Sequence, residues 1–354
     1  MSDYFEIDFL DVDAKDSGDA IPLRYKIGDE TRIHVTDGGF QKTGDKVVEH
    51  INKYYDDPDT IDAVIVSHPD GDHAGGVRTV LEEFEVSELW MLRPWDYVDE
   101  LIDRFARFKN KENLKKRLKE IYPNIAALED IAEEEEIPIY EPFQGEKIGD
   151  FFVLAPTKDR YLDLIVESEK TPQAVQENIQ ASLVKADSSL AAWGEESLSS
   201  EDTSHENEMS VIQYAKLCEQ KILLTADAGR GALAEAADYA PWAGLILPGI
   251  DRFQVPHHGS RRNVSTEILN RWLGDILPES EKPEAGTGTF TAIISASKDD
   301  DDHPRKAVIR ACIHRGGKVF STEGNTLCLS HNAPEREGWT ATTPLDYPEE
   351  QEED

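Results

Sequence analysis

The sequence is poor in cysteine, in basic residues and in long apolar runs. Cys218, Cys312 and Cys328 are the only cysteines in 354 residues, and no two are spaced as Cys-x-x-Cys. That argues against a disulfide scaffold or a cysteine-built zinc site and points to a reducing, cytoplasmic setting. No stretch approaches the roughly 18 consecutive apolar residues of a membrane span. Met1-Ser2-Asp3-Tyr4-Phe5-Glu6 has neither the basic start nor the apolar stretch of a secretory signal. Lys and Arg number 37 against 72 Asp and Glu, a formal net charge of -35. A field of that sign repels nucleic acid and anionic membranes, so an anionic substrate needs a metal ion or a local basic patch to draw it in. Hydrophobic residues still make up 39% of the chain, enough for a sizeable core, and wholesale disorder is excluded.

What is present alternates between strand and helix patterns. Tyr4 to Leu10, Ile21 to Ile27 and Thr31 to Thr36 read as half-buried strands, and Lys46 to Tyr55 as a helix. Ile61 to Val66 is an apolar run of the kind that forms a buried strand. After a gap, the same rhythm returns from Ser210 to Leu329. Two similar halves predict one α/β domain over residues 1–345, an αββα sandwich with a helical insertion at about 96–147. Within that insertion, residues 101–120 hold eight basic and three acidic side chains, inverting the global charge. Such a run is either a solvated helix face or a patch that meets a substrate. Residues 186–208, rich in Ser and Glu, read as a mobile loop, and 346–354 as a disordered acidic tail.

The chemistry concentrates at strand ends. Ser67-His68-Pro69-Asp70-Gly71-Asp72-His73 places two histidines and two aspartates directly after an apolar run. Imidazole and carboxylate are the ligands of catalytic divalent metals, and strand-end turns are where sites are assembled. Ile222 to Thr225 leads to Ala226-Asp227, and Phe253 to Val255 leads to Pro256-His257-His258-Gly259-Ser260. Singly, Asp227 would read as a helix cap and His257 and His258 as loop histidines. Three strand ends that all deliver His or Asp predict a single binuclear site.

These motifs resemble the metallo-β-lactamase superfamily of hydrolases, most closely the soluble hydrolase domain of ComEC-type competence proteins and its stand-alone relatives. Asp70 stands where the superfamily usually has histidine and the ComEC-type group has aspartate. Asp11-Val12-Asp13 with Ser17-Gly18-Asp19-Ala20 is similar to the group's N-terminal segment, and Asp37-Gly38-Gly39 to its first Asp-Gly turn. Asn207 to Val211, Leu224 to Asp227, Val255 to Ser260 and His303-Pro304 complete the likeness, with Ala226 in place of a glycine. The resemblance implies that His68 and Asp70 hold one metal, that Asp72, His73 and His258 hold a second, and that Asp227 bridges them. Asn207, with His205 as the alternative, stands where a further histidine ligand is usual.

A two-metal site of this kind implies hydrolysis by a water made acidic between two divalent ions, zinc or manganese, with Asp72 relaying a proton and His257 facing substrate. Aspartate at position 70 hardens the first site and tilts it towards manganese. Asp37 is expected to hold ligand imidazoles through their second nitrogen, and Ser260 and Arg261 to touch a phosphate. The expected activity is that of a phosphodiesterase or nuclease acting on DNA or another phosphodiester, with no membrane partner. Hydrolysis of a small phosphodiester or other ester, and a catalytically weak metal-binding regulatory module, are the alternatives.

Overall fold

The computed structural model describes residues 2–12, 14–105, 108–168, 170 and 188–353. Asp13, Arg107 and residues 186–187 of the expected loop lie outside them. Two seven-stranded sheets dominate the structure. In spatial order, the first comprises Leu327–His331, Tyr4–Phe9, Ala20–Ile27, Glu30–Gly38, Ala63–Ile65, Leu89–Trp90 and Ile139–Tyr140. The second comprises Gly317–Ser321, Phe290–Ile294, Arg252–Gln254, Gln220–Leu224, Ile212–Leu217, Phe151–Ala155 and Lys147–Ile148. In each sheet three neighbouring pairings are antiparallel and the other three parallel.

Period-two patterning explains the layers. Phe5, Ile7 and Phe9 with Ile21, Leu23 and Tyr25 point inward, where they meet Phe151, Ala215, Leu217, Ile222, Leu224 and Ile293 of the other sheet. The alternate residues face helices instead. Val35 and Val64 pack with Val47 and Ile51 of the helix Gly44–Tyr54 and with Val77 and Val80 of Val77–Glu83. On the other side, Leu223 and Phe253 pack with the helices Arg230–Tyr239, Thr266–Leu273 and Lys306–His314. This is a metallo-β-lactamase-like α/β sandwich. Among the described residues no helix is long and apolar enough to cross a membrane.

Three expectations change. The insertion is helical only as far as Glu134, because Ile139–Tyr140 and Lys147–Ile148 close the edges of the two sheets. The stretch expected as a mobile loop contains the strand Ser188–Leu190 and the helical turn His205–Glu208. The acidic end is also no free tail. Glu350–Glu352 pairs with Ser188–Leu190, and the Glu352 carboxylate accepts hydrogen bonds from the Lys306 and Ala307 main-chain N–H groups at 2.8 and 3.0 Å. A carboxylate at a helix N-terminus meets unpaired donors and the positive end of the helix dipole. Composition registers only the excess charge and cannot reveal that partner.

One buried side chain makes stability depend on pH. His34 is buried, with no hydrogen-bond partner on either ring nitrogen among the described residues, edge-on to Tyr25 at 5.4 Å. Burial, helped by the charge of Arg32, pushes its pKa down to about 3. Folded His34 therefore stays neutral, while in the unfolded chain it takes up a proton below about 6.5. The stability this imparts is complete above pH 6.5 and is lost as the pH falls from there towards 3. His34→Leu should gain about 2 kcal/mol relative to wild type on going from pH 8 to pH 5. Urea unfolding at the two pH values checks this, and an unchanged difference would contradict it.

Candidate metal centre

The site lies where strand ends of both sheets meet. From the first sheet come Asp37, at the end of Glu30–Gly38, and Ser67, His68, Asp72 and His73, beyond Ala63–Ile65. From the second come Asp227, beyond Gln220–Leu224, and His257 and His258, beyond Arg252–Gln254. The helical turn Gly71–Ala74 can abut the first sheet because Gly76 carries no side chain: a Cβ there would sit 2.1 Å from the Gly38 carbonyl oxygen. Backbone strain gathers at the same place. Asp37, Ala226, His257 and His258 all have positive φ, from 45° to 59°. Strain of this kind persists where surrounding structure enforces it, and it marks functional loops.

Ala226 gives a direct test of that strain. Its N–H donates to Gln254 Oε1 at 3.0 Å and its carbonyl accepts from the His257 N–H at 3.0 Å, which holds φ at 45°. A left-handed alanine costs about 1–2 kcal/mol, and glycine escapes most of that. Ala226→Gly should stabilise the protein by about 0.5–1 kcal/mol, after allowing for the extra freedom of the unfolded chain. Denaturant unfolding measures the gain, and a loss of stability would show that the methyl group packs productively.

The four histidines share one design. His73 Nδ1 donates to Asp37 Oδ2 at 2.8 Å, and His258 Nδ1 donates to the Ser295 carbonyl at 2.7 Å. Ser67 Oγ donates to Asp37 Oδ2 at 2.5 Å and accepts from His68 Nδ1 at 3.0 Å. His257 Nδ1 lies 3.0 Å from Asn263 Oδ1, an oxygen oriented by the Asn263 Nδ2 bonds to the Asp227 and Ala228 carbonyls, and 2.9 Å from Asn207 Nδ2. With Nδ1 donating, the neutral imidazoles of His68, His73 and His258 would each present a lone pair at Nε2, and the Nε2 atoms of all four histidines turn towards Asp227. Asp227 Oδ1 lies 3.2 Å from His73 Nε2 and 3.6 Å from His258 Nε2. Its Oδ2 lies 3.8 Å from His68 Nε2 and 3.6 Å from His257 Nε2. Asp72 Oδ2 completes the Oδ1 side, 3.8 Å from His258 Nε2 and 3.9 Å from His73 Nε2.

These residues fit a divalent cation. Among the described residues, His68 Nε2, His73 Nε2, His258 Nε2 and Asp227 Oδ1 are buried without a hydrogen-bond partner, an expensive state for isolated polar atoms. Asp72, His73, Asp227 and His258 each offer a ligand atom, all within 4.8 Å of one another. Burial favours the neutral form of His258, but the Asp227 carboxylate outweighs it and pushes the pKa up to about 9. His73 is raised by Asp227, Asp37 and Asp72 against the same effect of burial. Burial would raise Asp227, yet the charges of His257, His73 and His258 hold it well below the usual carboxylate range. The cluster thus draws positive charge to its centre, and nitrogen and oxygen donors in this arrangement suit zinc or manganese. A second acidic cluster, Asp19, Asp37 and His73, shares His73 through its other ring nitrogen. Asp37 already accepts three hydrogen bonds, one of them from His73 Nδ1, the kind of contact that orients metal-binding imidazoles elsewhere.

Not every candidate joins the cluster. The Asp70 carboxylate pairs with Lys170 Nζ at 2.6 Å. Asn207 sits behind His257, its Nδ2 2.9 Å from His257 Nδ1 and 2.7 Å from Thr203 Oγ1. His205 faces Glu167 at 3.7 Å. Arg261 donates to the Ser197 carbonyl at 2.9 Å, and Ser260 is buried with its Oγ accepting from the Arg262 N–H. Sequence reasoning kept His257 apart from the ligand set and assigned no role to Ser67, Asn263 or His303. The ring of His303 stacks on His257 at 5.6 Å, with Nδ1 held 3.1 Å from Asp300 Oδ2.

Residues 27–147 match the family model described as Metallo-beta-lactamase superfamily. This part of the chain is a metallo-β-lactamase superfamily domain, and it includes Asp37, His68, Asp72 and His73. No curated protein matches the chain.

Proposed function

We propose that the protein is a metal-dependent phosphodiesterase. The convergence of four imidazole Nε2 atoms and Asp72 on the two oxygens of one buried aspartate carries this reading. His68 and His257 would hold one cation with Asp227 Oδ2, and Asp72, His73 and His258 a second with Asp227 Oδ1. Bound divalent cations supply Lewis acidity and lower the pKa of a bound water to near neutrality. Asp72, the most exposed of these residues, would orient the attacking water and take its proton at Oδ1, the oxygen not turned towards His258 and His73. Asp37 and Ser295 keep the His73 and His258 imidazoles in the tautomer that presents Nε2. Asp70 pairs with Lys170 instead of joining the group of converging ligand atoms, which favours a first cation held mainly by imidazole. The likeness to ComEC-type hydrolases supports a phosphodiester substrate, and three free cysteines agree with a reducing compartment.

One observation favours a small phosphodiester over nucleic acid. Within the basic window, Arg104 pairs with Asp163, Lys111 with Asp99, Lys116 and Arg117 with Glu120, and Lys119 with Glu129. A patch in which five of the eight basic residues are paired with carboxylates offers less to a polyanion. The test is an assay of the protein loaded with Mn²⁺ or Zn²⁺ on bis-p-nitrophenyl phosphate and on single- and double-stranded DNA. Activity on the small ester alone is the expected result. Activity on both restores the nuclease reading, and activity on neither removes the phosphodiesterase. If DNA is cut, charge reversal of Lys115, Lys116 and Lys119 should raise its KM and flatten its salt dependence only where the patch guides the backbone, each lost contact removing about 0.7–0.9 from the log–log slope.

A further inference from the structure

The ligand atoms come from two halves of the molecule. Asp72 and His73 belong to the first half, and Asp227, His257 and His258 to the second, so their spacing depends on how the halves are held in register. One buried side chain ties the halves together directly behind the ligands. Gln254 Oε1 accepts hydrogen bonds from the Thr225 N–H at 2.8 Å and the Ala226 N–H at 3.0 Å, the two residues before Asp227. Its Nε2 donates to Asp19 Oδ2 at 2.8 Å. The Asp19 main-chain N–H in turn donates to the Asp72 carbonyl at 3.1 Å. Gly18 lets that segment come so close, since a Cβ there would lie 2.6 Å from the same carbonyl oxygen. Gln254, Asp19 and Thr225 are all buried. The Val211 N–H bond to the Ser67 carbonyl also joins the halves, but the Gln254 bonds end on residues adjoining both Asp227 and Asp72.

We propose that Gln254 is a positioning residue of the metal centre. Through Asp19 it sets the distance between Asp72 and His73 on one side and Asp227 and His258 on the other. Gln254 also ends the strand Arg252–Gln254 three residues before His257, so its amide joins two ligand-bearing strand ends directly and reaches the third through Asp19, whose N–H bonds the Asp72 carbonyl. Leucine or methionine would fill the space, yet neither could satisfy two N–H groups and a carboxylate at once. The proposal rests on the metal centre and is independent of which ester the protein hydrolyses.

The test exchanges the polarity of one bond. Gln254→Glu keeps an acceptor for the Thr225 and Ala226 N–H groups but sets a second carboxylate against Asp19. Asp19→Asn in the same chain restores a donor–acceptor pair with the direction reversed. Zn²⁺ affinity of the full chain is measured by chelator competition, the visible absorption of the Co²⁺-loaded protein reports ligand geometry, and melting of the metal-free protein reports folding. Gln254→Glu should weaken Zn²⁺ binding about tenfold or more and change the Co²⁺ spectrum, as outer-shell changes do. The double variant should return affinity to within about threefold of Asp19→Asn alone. Should Gln254→Glu fail to fold, Gln254→Met, which keeps the volume without either bond, should show the same loss of affinity with a cooperative melt. Wild-type affinity and spectrum in the single variants, or a double variant as weak as Gln254→Glu, would overturn the proposal. Because no readout uses substrate, these results stand apart from success or failure of the phosphodiesterase reading.

Discussion

Asp227→Asn should abolish most of the activity, lowering the phosphodiesterase rate by about 10²-fold or more, as expected when a two-metal clamp is broken. The amide keeps the volume but offers one oxygen where two are needed. Oδ1 faces His73 and His258, and Oδ2 faces His68 and His257, so either amide orientation leaves one pair of imidazoles facing an N–H group. Elemental analysis should show metal content falling from two per chain to one or fewer. A competing role for Asp227 as a helix cap finds no support in the structure. The N-cap of Arg230–Tyr239 is Gly229, and the free N–H groups of Gly231 and Ala232 are taken by the Glu208 carboxylate at 3.1 and 2.6 Å. A variant with full rate, two metals and only about 1 kcal/mol less stability would restore the cap reading.

The meeting of Asp227 and His258 with Asp72 and His73 could be read from the chain because strand-end chemistry is local. An apolar run ending in Asp227, or in His257-His258, carries both the strand and the ligand in a few residues. The layered fold was legible for the same reason: Phe5, Ile7 and Phe9 alternate with residues that face the helices, and the pattern needs no distant partner. The parts that escaped are those whose meaning lies in a remote residue. Glu352 looks like tail charge until the N-terminus of Lys306–His314 is found beneath it. The basic window reads as either a solvated helix face or a substrate patch, and of the carboxylates that pair with it Asp99, Glu129 and Asp163 lie outside it in sequence. His257 was set aside from the ligands on the ground that His258 directly precedes the glycine. Left-handed backbone at both histidines, φ 47° and 55°, instead turns both rings towards Asp227. Asp70 fitted a ligand spacing, and only the fold reveals Lys170 beside it.

Asp37 is the support whose loss should spread furthest. Its Oδ1 accepts from the Ser67 N–H at 2.8 Å, and its Oδ2 from both Ser67 Oγ and His73 Nδ1. One carboxylate therefore fixes the His73 tautomer directly and the His68 tautomer through a hydroxyl. Aspartate also suits its backbone, because φ is 59° and Asp and Asn tolerate the left-handed region better than most residues. Asp37→Asn should for that reason leave the fold intact while disturbing the chemistry. If the amide oxygen keeps the Ser67 N–H, the new NH₂ group faces His73 Nδ1, which must then accept. The His73 proton moves to Nε2 and points into the cluster, where a lone pair is required. Zinc affinity should fall by about 10–100-fold, as for other outer-shell partners of metal-binding histidines, and activity should fall with it under limiting metal. Chelator competition gives the affinity, and ¹⁵N chemical shifts of the imidazoles in the zinc-loaded and metal-free proteins report the tautomer. Unchanged affinity with the His73 proton still on Nδ1 would mean that the imidazole is held by its packing alone. An affinity loss accompanied by the shift to Nε2–H would show that one buried carboxylate, outside the ligand set, decides which nitrogen His73 presents.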